Sequence, residues 1–175
     1  MGAVLQEQGK LEQAIEAFRN AINIKPDYAE AHYNMGVGLR DQGKLEQAIE
    51  AYEKTVSLKP DFVEAYNNMG ATLQEQDKLE QAIKAFNKAC TIKPDFAEAF
   101  KNIGNILQKQ GKINEALESY NKALSIKPDY GSAKHMISAL TGNTHKFAPR
   151  EYVESLFDGY AKKFEASLLD KLKYK

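Results

Sequence analysis

The stretch from Asp61 to Pro94, DFVEAYNNMGATLQEQDKLEQAIKAFNKACTIKP, recurs with changes on either side of itself. Laying Asp27 to Pro60 over it gives 18 identities in 34 positions without a gap, and Pro26, Pro60, Pro94 and Pro128 mark the same interval. A fixed period of this length signals stacked supersecondary units, each burying its neighbour's apolar face, rather than one globule.

Within the Asp27 to Pro60 unit, apolar or small residues fall at Ala31, Met35, Gly36 and Leu39, then at Leu45, Ala48, Ile49, Tyr52, Val56 and Leu58. Both sets keep the helical period. Gly43, between them, suits the left-handed conformation that ends a helix, and Pro60 stops the second run. Each unit therefore predicts a helix, a tight turn and a second helix. Asp77 stands where the neighbouring units have the turn glycine; Asp tolerates that backbone better than most residues, so the turn is expected to survive with some strain. Asp27 with Glu30, Asp61 with Glu64 and Asp95 with Glu98 have the capping-box spacing, which predicts a side-chain cap on each first helix. Gly36, Gly70 and Gly104, facing Ala48, Ala82 and Ala116, permit close helix approach, and Tyr52, Phe86 and Tyr120, with Tyr66 and Phe100, are expected to lock one repeat against the next.

This order of Gly, Leu, Gly, Ala, aromatic, Ala and Pro resembles the tetratricopeptide repeat over about residues 1–140. The resemblance implies an all-α superhelical solenoid: a partial first repeat at 1–26, full repeats at 27–60, 61–94 and 95–128, and a terminal capping helix at 131–140. In that last helix Lys134 replaces the expected aromatic, and the pattern stops at Gly142. Met1 and Gly2 align with Met35 and Gly36, so the first residue is expected to fall inside a helix of a longer array.

Residues 141–149 read as a polar, turn-rich linker, and residues 150–175 as a separate amphipathic helix whose apolar stripe is Val153, Phe157, Tyr160, Phe164 and Leu168. The tail's wording, EYVESLFDGYAKKFEASLLDKLKY, resembles the lead-in to the catalytic domain of bacterial tetratricopeptide-linked methyltransferases. That resemblance implies a parent enzyme that uses S-adenosylmethionine, with its glycine-rich cofactor loop beyond Lys175.

For the chain itself no catalysis is expected. His32, His135 and His145 have neither metal-site nor dyad spacing, and no nucleophile elbow, phosphate loop or CxxC is present. No cofactor and no metal are therefore predicted. Lys plus Arg, at 24, balances Asp plus Glu, at 24, which argues against nucleic acid or an anionic membrane as partner. Cys90 is the single cysteine and reads as a small core residue in a reducing compartment. With no long apolar run and no basic-then-apolar leader, a soluble cytoplasmic protein is expected.

The stacked units offer a groove lined by their first helices. Along it Asn34, Asn68 and Asn102 recur at one place per unit, accompanied by Tyr33, Asn67 and Lys101 and by Asn105 and Arg40. An amide both donates and accepts, so such a row can pair with the main chain of an extended peptide whatever its sequence. The alternative is that each Asn bonds a neighbouring helix or water. Similar asparagine ladders occur in O-linked N-acetylglucosamine transferases and kinesin light chains, which makes a glycosyltransferase a weaker alternative to a protein-binding scaffold. Lys101 and Asn105 resemble half of the family's clamp for a C-terminal carboxylate, while Tyr33 and Val37 do not complete it. Self-association is expected through the N-terminal edge, at Leu5, Leu11 and Ile15, and through the C-terminal stripe.

Overall fold

The structure, a computed structural model, describes residues 11–142. Among these, eight helices follow one another: α1 (Leu11–Ile24), α2 (Ala29–Asp41), α3 (Leu45–Leu58), α4 (Val63–Glu75), α5 (Leu79–Ile92), α6 (Ala97–Lys109), α7 (Ile113–Ile126) and α8 (Gly131–Thr141). Each packs on the next, and the first helices α2, α4 and α6 also touch in sequence as a row. The tail at 150–175 and its stripe lie outside the described residues, as do residues 1–10.

The turns between first and second helices close in the same way three times. Gly43, Asp77 and Gly111 take left-handed backbone, at φ 74°, 60° and 75°. In each, the next residue's N–H reaches back to the carbonyl three residues before the cap (Lys44 to Leu39, Lys78 to Leu73, Lys112 to Leu107), all at 2.9 Å. This is the Schellman arrangement, which satisfies helix-end carbonyls. Asp77 keeps it, as expected, and its carboxylate accepts from Lys109 Nζ at 2.6 Å.

The helix starts differ from expectation. Tyr28, Phe62 and Phe96 occupy the N-cap positions, and no side chain caps those helices, so the predicted capping boxes of Asp27, Asp61 and Asp95 do not form. The preceding proline explains the change. In Lys59–Pro60–Asp61–Phe62, the Phe62 N–H bonds the Lys59 carbonyl at 3.1 Å, which puts Pro60 at the turn position its fixed φ favours and spends Asp61 inside the turn. Glu30 still answers the exposed amides. Its own backbone N–H, then the Lys59 ammonium, hold its carboxyl below the usual range.

The rings of Tyr52, Phe86 and Tyr120 sit at the closest approach of the two helices of their units. Each is wholly buried and lies on the glycine of its own unit, so that a β-carbon placed on Gly36, Gly70 or Gly104 would come within 2.7, 2.8 or 2.6 Å of a ring carbon. Each ring thus closes the two helices of its own repeat on one another, and Phe86 shares its cluster with Ala99, Phe100 and Ile103 of the next unit. Tyr66 and Phe100 belong to the first helices, where Phe100 is buried in the core. The core runs along the array in two clusters, around Leu39 and Tyr52 and around Phe86 and Ile106, with Met69 packed against both. Cys90 is half-buried, and desolvation pushes its thiol up.

On α8, which is a first helix by its place, Lys134, Ser138 and Thr141 replace the aromatic, glycine and leucine on which earlier second helices pack. Its other side, through Ala133 and Leu140, continues the core over α7. Polar substitution on the outward side is what a terminal repeat needs in order to meet water.

Candidate functional site

The candidate residues lie on α2, α4 and α6, on the side turned away from Met35, Leu39 and their equivalents, because 3.6 residues per turn separates the two sets by about half a circle. Tyr33 is half-buried, its ring stacked on Phe62 at 4.8 Å and tilted against Tyr52 at 6.1 Å. Burial raises its hydroxyl above the ordinary tyrosine value, and the carboxylate of Glu64 adds to that. That hydroxyl accepts from Asn68 Nδ2 at 2.9 Å. One unit further on, Asn102 Nδ2 donates to Asn67 Oδ1 at 3.3 Å, and Asn67 Nδ2 donates in turn to Glu98 Oε1 at 3.3 Å.

The amides of Asn68 and Asn102 thus stitch each first helix to the one before it. Asn67 is 5% exposed and Asn102 8%, so both lie largely below the surface, whereas Asn34 and Asn68 are half-buried. Among the described residues Asn34 makes no hydrogen bond. Lys101 is half-buried and makes no ion pair among the described residues; desolvation lowers its ammonium below the usual value, against a weaker upward pull from Glu98. Arg40 approaches Glu75 at 3.9 Å, and Asn105 Oδ1 shares the Tyr120 hydroxyl proton, at 2.9 Å, with Gln108 Oε1, at 2.7 Å.

The structure brings Tyr33 to Asn68 and Asn67 to Asn102. It leaves Asn34 and Lys101 as the members of the row whose side chains make no hydrogen bond or ion pair among the described residues. The roles of Phe62, Glu75, Glu98 and Tyr120 were not foreseen from the sequence. Of these only Glu75 carries a signal, its spacing of 35 to Arg40, which is also that of 33 with 68 and 67 with 102: one more than the repeat, as adjacent helices with a slight axial offset produce. Continuing the row, α8 presents His135 and Met136 in place of Lys101 and Asn102. Among the described residues no group of three or more His, Cys, Asp or Glu side chains could hold a metal ion, and no helix is long and apolar enough to cross a membrane.

Family models described as TPR repeat match residues 2–37, 39–77 and 73–111, and one described as tetratricopeptide repeat matches residues 97–130. The chain belongs to the tetratricopeptide repeat family. Solved structures agree. MamA, in a crystal structure, is 26% identical over 99% of this chain and 95% of its own, with a TM-score of 0.76. PilF of Pseudomonas aeruginosa is 27% identical over 92% of this chain and 72% of its own, with a TM-score of 0.75. A MamA fragment from Desulfovibrio magneticus RS-1, at 17% identity over 94% of this chain and 89% of its own, shares the fold with a TM-score of 0.73. Among curated proteins none matches the chain. Family and fold together make this tetratricopeptide array a protein-interaction scaffold.

Proposed function

We propose that the array holds an extended peptide along the row of first helices. The observation that carries this reading is the row of amides spaced one per repeat, in which Asn34 keeps its whole hydrogen-bonding capacity and Asn68 keeps its oxygen and one N–H after bonding Tyr33. Lys101, part-buried and without an ion pair among the described residues, adds a cation for a carboxylate of the ligand. Balanced charge gives nucleic acid and anionic membranes no general attraction, and a single cysteine is in keeping with a reducing, cytoplasmic setting. Ile24, 87% exposed where Leu58, Ile92 and Ile126 are half-buried, supports self-association through the N-terminal edge.

The test is a peptide selected from a random display library against the intact chain, with affinity measured by calorimetry. Asn34→Ala removes no bond made among the described residues, so it reports the ligand contact cleanly; a loss of about 0.5–1.5 kcal/mol, roughly two- to tenfold, is expected. Unchanged affinity in Asn34→Ala and in Lys101→Ala, with folding intact, refutes the reading. A second reading rests on the wording of residues 151–174, namely that the array recruits the substrate of a methyltransferase domain. It is tested by whether a strand and a glycine-rich loop follow Lys175 in the parent gene.

A further inference from the structure

The side of the array opposite the amide row carries two depressions between neighbouring second helices. The first, of 610 Å³, lies between α1 and α3 on a floor of His32, Met35 and Leu39 from α2, with Arg19, Glu50 and Lys54 on its rim. The second, of 310 Å³, lies between α3 and α5 on Tyr66, Met69 and Leu73 from α4, with Glu53, Lys84 and Lys88 on its rim. Each of these residues in one depression has its counterpart 34 positions away in the other. They are one feature repeated. In the next unit Phe100 takes the floor position of Tyr66, and Lys122 Nζ settles 4.5 Å from the centre of its ring, so the side chain at the place of Lys54 and Lys88 folds inward over the floor.

Three properties choose an occupant. Both floors carry a methionine at their middle, whose thioether and three rotatable bonds adapt to apolar side chains of different shape. Each rim carries two cations against one carboxylate, and none of Arg19, Lys54, Lys84 or Lys88 takes part in an ion pair among the described residues. Lys84 and Lys88 stand one helical turn apart on α5, an unfavourable pairing of like charges that an opposing carboxylate relieves.

We propose that the two depressions form a second docking surface, separate from the amide row, which takes an acidic protein segment and seats one apolar side chain in each. Methionine floors tolerate Leu, Ile, Phe or Met at the anchors, and the cationic rims choose against a basic segment. Two anchors one repeat apart would also read the spacing of the segment, since a single anchor fills only one depression.

The probe is a synthetic acidic peptide with two leucines separated by the distance between Met35 and Met69, set beside the same peptide with every Glu replaced by Lys. Carbon-13 methyl spectra of the intact chain report Met35 and Met69 directly. The acidic peptide is expected to shift both methyl signals together and leave the side-chain amides of Asn34 and Asn68 in place. K84E combined with K88E, both exposed, is expected to weaken binding about tenfold while the circular dichroism stays that of the wild type. Methyl signals unmoved at millimolar acidic peptide, equal binding of the basic control, or shifts confined to the asparagine amides would each overturn the proposal.

Discussion

Replacing Tyr52 with Phe should stabilise this protein, while the same replacement at Tyr120 should destabilise it. Both rings are wholly buried at the same place in their units, each against its own glycine. The difference is in what faces the hydroxyl. Tyr120 donates to Asn105 and Gln108, whereas the positions one and two units earlier carry Ala71 with Gln74, facing Phe86, and Val37 with Arg40, facing Tyr52. Neither Val37 nor Arg40 has an acceptor, and the buried Tyr52 hydroxyl has no partner. An unsatisfied buried hydroxyl costs about 1–3 kcal/mol, and a satisfied neutral hydrogen bond contributes about 0.5–1.5 kcal/mol. Tyr52→Phe is therefore expected to gain about 1 kcal/mol, raising the melting temperature by roughly 2–4 °C at this size, and Tyr120→Phe to lose about 1 kcal/mol. Urea titrations of both variants beside the wild type, compared by midpoint because stacked repeats need not unfold in one step, measure this directly. Equal destabilisation by the two substitutions would refute the reasoning, since it would mean that the Tyr52 hydroxyl is satisfied after all.

Gly70→Ala places a methyl group 2.8–2.9 Å from three carbons of the Phe86 ring, so calorimetric unfolding should show a loss of about 1–3 kcal/mol, and a wild-type melting temperature would count against such close packing. Burial pushes the Tyr120 hydroxyl up to about 12 from an ordinary value of 10, and raises that of Tyr52 as well. Because the fold favours the neutral phenol, its contribution is complete below pH 10 and is lost as pH rises from 10 to 12; phenolate absorbance and circular dichroism should change together there, and ionisation at pH 10 with the helices intact would refute it.

Much of this architecture could be read from spacing alone. The period of 34 placed the helices, Gly43 and Gly111 announced the left-handed turns, and Asp77 was legible as their substitute because few other residues accept that backbone. What misled the reading was competition between local devices. Asp61 has a capping spacing to Glu64, but the turn led by Pro60 uses it first, and the aromatic Phe62 is left to begin the helix. That Tyr52 and Tyr120 lie directly on Gly36 and Gly104 of their own units was hidden for a different reason: it depends on how helices cross, which periodicity does not carry. The candidate row was visible as recurring asparagines. The alternative, that each Asn bonds a neighbouring helix, holds for Asn68 and Asn102, but their partners were not legible, because they stand 35 apart and only one of each pair is an asparagine of the ladder.

The stitching of the first helices also makes their order chemically legible. Units so alike in sequence run the risk of pairing with the wrong neighbour as they fold, and the positions they share cannot tell one unit from another. The place occupied by Tyr33, Asn67 and Lys101 can. A phenol oxygen accepts the amide of Asn68, and an amide oxygen accepts that of Asn102. The ammonium of Lys101 has no lone pair to offer, and at the corresponding place, 35 positions on, the next helix carries Met136, which has no proton to give. If the third unit took the second unit's place, an asparagine donor would face a lysine donor. Three side chains thus number the units from first to last, and the array is a sequence of distinguishable parts although its spelling is nearly a repetition.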